Sequence, residues 1–462
     1  MPSGTEEIRM KIIIAGCGKV GYALAEQLNE EGHDLTIIDT NEEKAGLVGN
    51  VLDVMCIQGN ATSYRVQQEA GVKEADLLIA VTGKDEVNLL CCLIARKAGH
   101  CQTIARVRDP GYYAEIGFIK EELGLSLAIN PELAAASDIA RLIRIPSAMD
   151  VDAFAKGKVD LVRFRVPEGS SWSERRISET TRRFGSNMLI CVVERDGSHD
   201  VIIPDGNTIL HEGDYISVIV PPDKMKALFA SIGIESKLIR DVMIAGGGTL
   251  AYYLARMLLE SKIQVKIIEN NRARCDELSE LLPKAMIIYG DASGTDLLRE
   301  EGIESTDAFI SLTGLDEENV MLSCYVGKVS RAKVITKINK INYGGIIDNF
   351  DIGSVISPKY LTAEHIIKYV RGMQNSMGSA VEAVYRLIDN KVEALEFSVK
   401  KDSRVLDVPL SDLKLKSNLL LCNIVRRGKL ILPSGQDTIK AGDTVIVVTT
   451  HKGLDDIEDI LA

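Results

Sequence analysis

The residues best suited to bind a ligand are three closely spaced glycines and an acid that follows them. This fingerprint and its acid are Gly16, Cys17, Gly18, Lys19, Val20, Gly21 and Asp39. In a strand–turn–helix unit, Gly16 permits a tight turn, Gly18 lets the backbone approach a pyrophosphate, and Gly21 lets the helix pack on the strand. Asp39 is placed to accept hydrogen bonds from a ribose diol and would repel a 2′-phosphate. The pattern predicts a nucleotide site that prefers NAD(H) or an adenine nucleotide to NADP(H); the alternative is a turn that binds nothing.

The flanking sequence predicts the elements that such a site requires. An apolar run at Ile12–Ala15 precedes the glycines, and residues 22–28 carry apolar positions at helical spacing. Phosphates would then lie on the free N–H groups at a helix N-terminus, where the helix dipole favours negative charge. Short apolar runs continue to alternate with helical segments up to Ile129, including one predicted helix over residues 112–123. This alternation predicts a parallel, doubly wound sheet with its ligand crevice at the carboxyl ends of the strands.

The whole pattern recurs about 230 residues later, which indicates an internal duplication. The second fingerprint and its acid are Gly246, Gly247, Gly248, Thr249, Leu250 and Glu269. Ala251 takes the place of the third glycine, an accepted variant. Arg272 and Arg274 follow the second acid and could accept a phosphate. The second site is therefore expected to prefer a different nucleotide or to bind more weakly.

Further polar residues recur at the predicted strand tips. They are Asn60 with Asp291, Thr82 and Gly83 with Thr313 and Gly314, and Arg106 with Lys337. Asn60 and Asp291 could accept from an adenine amino group, and the basic pair could contact phosphate. For each of them an ordinary cap, turn or salt bridge is the alternative.

The sequence predicts an α/β protein with two Rossmann-like parallel-sheet domains, each followed by a small α+β, β-rich C-terminal subdomain. Apolar helices at residues 132–144 and 361–373 follow the last strand of each sheet and are interpreted as crossover or dimer helices. The predicted boundaries are a leader at 1–9, a first Rossmann-like domain with its crossover helix at 10–150, a first subdomain at 151–235, a second Rossmann-like domain with its crossover helix at 236–383, and a second subdomain at 384–462.

Composition excludes several functional classes. The chain has 54 Lys and Arg against 66 Asp and Glu, a net charge of −12, and no basic run, so nucleic acid is not expected as a partner. No segment approaches the roughly 18 consecutive apolar residues of a membrane span, and the polar N-terminus lacks a signal-peptide core, so a cytosolic location is expected. Nine cysteines form no CxxC pair, and the six histidines form no constellation with carboxylates, so neither a metal site nor a catalytic residue is predicted. Binding without turnover is the favoured interpretation.

The tandem fingerprints GCGKVG and GGGTLA, each followed by its acid, a GNA or GDA element and a TG pair, resemble the family of Trk-type potassium-uptake regulatory subunits. The repeated unit of that family is the regulator-of-conductance-of-potassium (RCK) domain, a ring-forming Rossmann-like module. The resemblance implies a cytoplasmic protein peripheral to the inner face of the plasma membrane, which binds NAD(H) and ATP or ADP and assembles as a ring under a membrane potassium channel or transporter.

Carried over by position, the nucleotide contacts would be Gly16–Val20, Asp39, Asn60, Thr82, Gly83 and Arg106 in the first half, and Gly246–Leu250, Glu269, Asp291, Thr313, Gly314 and Lys337 in the second. Two other functions stay open from the sequence. One is an NAD-dependent dehydrogenase with duplicated cofactor domains, and the other is a regulator of a cation/proton antiporter.

Overall fold

The computed structural model describes residues 9–154, 159–181, 188–196, 200–221, 224–234, 238–339, 350, 352–377, 381–388, 391–454 and 456–462. The predicted leader lies outside the described residues except for Arg9. The described chain divides into two structural units. The first contains Met1–Ala140 and Arg240–Ile367, and the second contains Arg141–Ile239 and Lys368–Ala462.

The first half of the first unit is a six-stranded parallel sheet with helices between the strands. Its elements are β1 (Lys11–Ala15), α1 (Lys19–Glu30), β2 (Asp34–Asp39), α2 (Glu42–Val51), β3 (Met55–Gln58), α3 (Tyr64–Glu69), β4 (Leu77–Ala80), α4 (Asp85–Gly99), β5 (Gln102–Arg106), α5 (Pro110–Ala114), α6 (Ile116–Leu123), β6 (Leu127–Ile129) and α7 (Pro131–Arg144). The strand order is β3-β2-β1-β4-β5-β6. Because the order reverses between β1 and β4, a crevice opens at their carboxyl ends.

The second half repeats this sheet with the order β16-β15-β14-β17-β18-β19. Its elements are β14 (Asp241–Ala245), α10 (Thr249–Glu260), β15 (Gln264–Glu269), α11 (Arg272–Leu281), β16 (Met286–Tyr289), α12 (Thr295–Glu300), β17 (Ala308–Ser311), α13 (Asp316–Val329), β18 (Lys333–Lys337), β19 (Ser354–Ile356) and α14 (Pro358–Met377). The central strands β1 and β14 pair with parallel neighbours on both sides and are almost wholly buried. Burial on both faces explains why they read as continuous apolar runs and not as alternating ones.

Two predicted helices differ from the structure. The single helix expected over residues 112–123 is two helices, α5 and α6, because Glu115 between them leaves helical geometry with φ −103° and ψ 14°. The side chain of Asp109 accepts from the N–H groups of Gly111 and Tyr112, so α5 starts at Pro110, before the predicted position. Helix α14 is also longer than predicted, since Pro358 starts it earlier and it continues to Met377.

The second unit holds two five-stranded antiparallel sheets. The elements between the two parallel sheets are β7 (Asp150–Phe154), β8 (Val159–Arg165), β9 (Arg175–Arg176), α8 (Ile177–Thr180), β10 (Leu189–Glu194), β11 (Val201–Ile202), β12 (Ile209–Leu210), β13 (Tyr215–Ile219) and α9 (Met225–Ser231). The C-terminal elements are β20 (Val381–Leu387), β21 (Val392–Ser398), β22 (Leu419–Arg426), β23 (Lys429–Ile431), β24 (Thr444–Thr449) and a 3₁₀ helix (Ile457–Ile460). The orders β11-β10-β13-β8-β7 and β23-β22-β24-β21-β20 match strand for strand, so this part of the chain is duplicated too.

These two antiparallel sheets share one apolar core within their unit. The rings of Phe154 and Tyr385 meet edge to face with centroids 4.4 Å apart. The sulfur atoms of Cys191 and Cys422, which occupy equivalent places in the two repeats, lie 3.4 Å apart and are fully buried. The predicted α/β class, with two Rossmann-like sheets and two β-rich subdomains, is confirmed. None of the helices in the described part of the chain combines the length and apolar character needed to span a membrane.

Candidate functional site

The first glycine-rich turn leaves no room for side chains at two of its three glycines. Gly16 has φ +103°, and a Cβ there would lie 2.9 Å from the backbone nitrogen of Thr82. A Cβ on Gly21 would lie 1.9 Å from the Gly16 carbonyl oxygen. A Cβ on Gly18 would meet no protein atom within 4 Å. The turn therefore keeps the space above Gly18 open while its other two glycines hold the helix against the strand.

Helix α1 begins at this turn, and no capping side chain accepts hydrogen bonds from its first N–H groups. Its N-cap, Gly18, offers no side chain, and the first turn contains no acidic residue. The next helix, α2, is different, because Asn41 caps it and Glu42 and Glu43 lie in its first turn. An uncapped N-terminus with its dipole directed at open space is a site for an anion.

The carboxylate of Asp39 organises the same turn. One of its oxygens accepts from the N–H of Cys17 at 2.6 Å, and the other accepts from the N–H of Asn41 at 2.8 Å. A carboxylate has about four acceptor positions, so two remain for hydroxyl donors. Asp39 thus has a structural role in addition to the predicted contact with a ribose.

A buried asparagine joins two strand tips of the first site, and sequence reasoning did not identify it. The Asn88 side-chain oxygen accepts from the Thr82 N–H at 2.8 Å and from its hydroxyl at 2.7 Å. Its amide nitrogen donates to the Arg106 carbonyl at 2.9 Å. The signal that could have revealed it is the repeated pattern T-G-x-D-E-x-N, because Asn319 makes the equivalent contacts with Thr313 and Lys337 in the second half.

Arg106 is a half-buried cation at the tip of β5. Its guanidinium donates to the Thr82 carbonyl oxygen, and its Nε is buried without a hydrogen-bond partner. No carboxylate among the described residues forms an ion pair with it. Burial lowers the pKa of the guanidinium, nearby Arg108 lowers that pKa further, and Glu132 opposes the change. A half-buried cation whose buried Nε is an unused donor is suited to an anionic ligand.

The second turn repeats this construction. Gly246 has φ +98°, and Glu269 accepts from the N–H groups of Gly247 and Asn271, both at 2.7 Å. Helix α10 starts after Gly248 with no side-chain cap and no acid in its first turn. Lys337 takes the place of Arg106 and donates to the Leu312 carbonyl oxygen at 3.0 Å.

The packing beneath the two turns differs in a compensating way. Cys17 is buried in the first turn, where burial, with Asp39 nearby, raises the pKa of its thiol to about 11. Its counterpart is Gly247, and a Cβ there would lie 2.6 Å from the Leu278 side chain. Leu278 occupies the position of the smaller Val48. The first half thus has the larger side chain in the turn, at Cys17, and the second half has it in the helix beneath the turn, at Leu278. Neither thiol chemistry nor a metal is needed to explain Cys17.

Several predicted residues already have protein partners. Arg274 donates to the Gly247 carbonyl oxygen at 2.8 Å and pairs with Glu277 at 2.6 Å. Arg272 lies 5.3 Å from the centroid of the Tyr289 ring and 3.7 Å from Asp276. Arg274 thus contacts the second glycine-rich turn, and Arg272 lies against β16, so both arginines already have partners within the protein.

Asn60 and Asp291 each form a local turn after the third strand of their sheet. Asn60 accepts from the Thr62 N–H at 3.0 Å, and Asp291 accepts from the Ser293 N–H at 2.9 Å. Hydrogen bonds from the side chain and backbone of Ser293 lower the pKa of Asp291. It therefore stays ionised near neutral pH and keeps acceptor positions for an amino group.

Charged residues of the first half lie near the cation of the second site within the first unit. The pKa of Lys337 is lowered chiefly by burial, and Lys19 of the first turn lowers it further. Asp316 and Glu132 oppose this change. Glu132 lies in the first turn of α7, pairs with Arg108 at 2.6 Å and keeps one buried oxygen without a hydrogen bond. Charged groups of the first half thus act on the cation of the second site.

The described residues hold no cluster of His, Cys, Asp and Glu that could bind a metal ion. One exposed histidine–carboxylate pair does occur, with His211 Nδ1 2.6 Å from Glu174 in the first small subdomain. The equivalent residue in the second subdomain is Lys440, so the duplication does not repeat this pair.

Comparison with known proteins covers nearly the whole chain. A family model described as the TrkA-N domain matches residues 12–131 and 242–358, and one described as the TrkA-C domain matches residues 161–233 and 394–462. The chain is 33% identical over 452 residues to "Trk system potassium uptake protein TrkA homolog" of Archaeoglobus fulgidus, covering 98% of this chain and 100% of that protein. It is 32% identical over 448 residues to "Trk system potassium uptake protein TrkA" of Halomonas elongata, covering 96% of each.

Solved structures support the same fold. A structure titled "GsuK channel bound to NAD" matches with a TM-score of 0.62 at 18% identity, over 98% of this chain and 78% of that one. "Crystal Structure of the GsuK RCK domain" matches with a TM-score of 0.62 at 18% identity, over 98% of this chain and 94% of that one. The tandem order, the matched domains and the full-length relatives confirm the predicted resemblance, and the chain belongs to the TrkA family of Trk system potassium uptake proteins.

Proposed function

We propose that this chain is the nucleotide-sensing regulatory subunit of a membrane potassium uptake system. The observation that carries the proposal is the pair of half-buried cations, Arg106 and Lys337, which have no ion-pair carboxylate among the described residues. Their carbonyl acceptors belong to Thr82 and Leu312, which lie against the first glycine of each turn, and the helix that follows each turn is uncapped. Two such sites in one chain are suited to bind phosphorylated ligands. The relatives' printed names supply the potassium uptake system.

The ligands that we propose are NAD(H) and the adenine nucleotides ATP and ADP. In the first site the pyrophosphate would lie on the N–H groups at the start of α1 beside Arg106, and the ribose diol would donate to Asp39. In the second site the pyrophosphate would lie at the start of α10 beside Lys337, and the ribose diol would donate to Glu269. When bound, the nucleotide would supply negative charge to N–H groups and cations that have no anionic partner in the described part of the chain. The open space above Gly18 and Gly248 fits this use.

Regulation follows from linkage. A ligand shifts a conformational equilibrium only by the difference between its affinities for the two states. We place that difference at the cleft between the two Rossmann-like halves, because Lys19 acts on Lys337 and Glu132 acts on both Arg106 and Lys337. A change in the cleft would then alter the interaction with the membrane partner.

We further propose that the protein binds these ligands without turning them over, forms a ring by self-association, and lies at the cytoplasmic face of the membrane that holds its potassium-transporting partner. The four-domain division at 10–150, 151–235, 236–383 and 384–462 remains part of this proposal. The TrkA-N and TrkA-C matches support its order.

The test combines nucleotide binding with potassium flux. Calorimetry on the full chain with NADH, NAD⁺, ATP and ADP should give saturable binding without consumption of NADH. Asp39→Asn should weaken NADH binding about tenfold or more, because the ribose loses charge-assisted hydrogen bonds. Asp34→Asn is the matched control, since Asp34 lies exposed at the opposite end of the same strand.

Potassium flux through vesicles that contain the co-purified membrane partner should respond to nucleotide with the wild-type chain, and the response should weaken with Asp39→Asn. Equal NADH affinity in the Asp39 and Asp34 variants would contradict the proposed site. Steady consumption of NADH with a candidate substrate would favour a dehydrogenase instead.

A further inference from the structure

One buried polar contact joins the two Rossmann-like halves within the first unit. The side-chain nitrogen of Asn130 donates to the hydroxyl oxygen of Tyr253 at 2.9 Å. Asn130 is 3% exposed and Tyr253 is 2% exposed. Since a buried polar group that loses its partner is costly, this bond constrains both halves strongly.

On the first side, the contact is built into the first nucleotide site. Asn130 follows β6 and caps α7 by accepting from the Leu133 N–H at 2.9 Å. Its amide nitrogen also reaches the Arg108 carbonyl oxygen at 3.4 Å, and the Tyr253 hydroxyl lies 3.5 Å from the same oxygen. The N–H groups of Arg108 and Asp109 both donate to one oxygen of Asp85, at 2.7 and 2.8 Å. The Tyr253 hydroxyl therefore lies against the segment that follows Arg106.

On the second side, the contact is built into the helix of the second site. Tyr253 lies one turn after Thr249, the first residue of α10. The N-terminus of this helix is the proposed phosphate site. Because a helix of this length moves nearly as a rigid body, a ligand that shifts the start of α10 also shifts the tyrosine hydroxyl.

The bond is not a necessary product of the duplication. The residues equivalent to Tyr253 and Asn130 are Ala23 and Ser357. Alanine has no hydroxyl, so the matching bond cannot form on the other side of the cleft. Burial raises the pKa of Tyr253 to about 12, and therefore the hydroxyl stays protonated across the physiological range.

We propose that the Tyr253–Asn130 hydrogen bond is the positioning contact through which occupancy of the second nucleotide site is transmitted to the Arg106–Asp109 segment of the first. This inference rests on the proposed function. By reciprocity, occupancy of the first site must act on α10 through the same contact.

The test measures hydrogen exchange in the full chain with ligand confined to the second site. In a Gly18→Ala background, which is designed to block the first site, saturating ADP should slow amide exchange in residues 106–109 by at least about threefold, the size expected for a modest local stabilisation. Adding Tyr253→Phe should abolish this slowing while changing the ADP affinity of the second site less than about twofold. Tyr252→Phe is the matched control, because that neighbouring ring packs near Arg256 and should leave the slowing intact.

A second variant keeps the result independent of folding. Asn130→Ser retains a capping oxygen and removes the amide donor, so it should abolish the slowing to the same extent, and the double variant should show no further loss. The inference would be overturned if ADP still slowed amide exchange in the Tyr253→Phe variant, or if it caused no slowing when Tyr253 is present. In either case, binding of ADP would leave the proposed function intact. Failure of ADP to bind at all would overturn both.

Discussion

The glycines of the first glycine-rich turn allow the effect of a substitution on nucleotide binding to be separated from its effect on folding. At Gly18 the backbone has φ −77° and ψ −169°, which an alanine can adopt, and a Cβ would meet no protein atom within 4 Å. Alanine also restricts the unfolded chain. Gly18→Ala should therefore leave the free energy of unfolding unchanged or raise it by about 0.4–1 kcal/mol.

The same methyl group should damage binding, because it occupies the space from which a phosphate would approach the N–H groups of α1. Each charge-assisted hydrogen bond lost costs about 1.5–3 kcal/mol, so the dissociation constant for NADH should rise about ten- to a hundredfold. The signature is a protein that is at least as stable as wild type and yet binds nucleotide poorly.

Calorimetry with NADH and thermal unfolding without ligand would measure the two effects. Gly46→Ala is the matched control, since Gly46 lies in α2 with no atom within 4 Å of its Cβ and far from the turn in sequence. Gly21→Ala should behave in the opposite way and unfold at lower temperature, because its Cβ would lie 1.9 Å from a carbonyl oxygen. Applied to Gly248, the same substitution would show which nucleotide the second site binds.

Unchanged NADH affinity in Gly18→Ala would refute the reasoning, since the phosphate would then not approach this backbone. A large loss of stability in the same variant would refute the steric part of the argument.

Three other expectations follow from buried groups elsewhere. Asn88→Ala should lower the free energy of unfolding by about 2–4 kcal/mol and weaken NADH binding, because a backbone N–H and a backbone carbonyl lose their partner. Urea denaturation would measure the loss of stability and calorimetry the loss of affinity. A change in unfolding free energy below about 0.5 kcal/mol would contradict this expectation. Asp443→Ala should destabilise the chain by about 2–4 kcal/mol, since Asp443 is 2% exposed and accepts two hydrogen bonds from Arg426 at 2.7 and 2.9 Å; an unchanged urea midpoint would count against this pair. At pH 8 a thiol reagent should modify only the half-buried Cys56 and Cys324 in the folded protein, and all nine cysteines after unfolding. Rapid modification of more than two cysteines in the folded protein would show that the buried thiols are accessible.

Local patterns were sufficient for the elements that carry the nucleotide sites. The strand, turn and helix around Gly16 and Gly246 depend on residues close together in the chain, where backbone geometry and apolar spacing are read directly. The repeat also showed that Arg106 and Lys337 are equivalent, and both prove to be half-buried cations at strand tips. The break at Glu115 was missed, because apolar spacing continues across it.

Contacts between distant residues needed the tertiary structure. The asparagine clamp at Asn88, the second role of Asp39 as an acceptor for its own turn, and the facing thiols of Cys191 and Cys422 all join segments brought together by strand order and packing. The same holds for the bond between Asn130 and Tyr253, where 123 residues separate the partners.

By itself, the sequence determined that this protein contains two nucleotide folds in tandem, each followed by a β-rich subdomain, because glycine geometry and apolar periodicity act over a few residues and are written in residue type. Only the tertiary structure decided that Lys19 and Glu132 of the first half lie close enough to Lys337 to affect its pKa, and that a buried polar bond connects the two halves. The physical reason is that burial, electrostatic coupling and hydrogen bonding between the two halves depend on distances in space. The duplication is asymmetric at this contact because Tyr253 corresponds to Ala23.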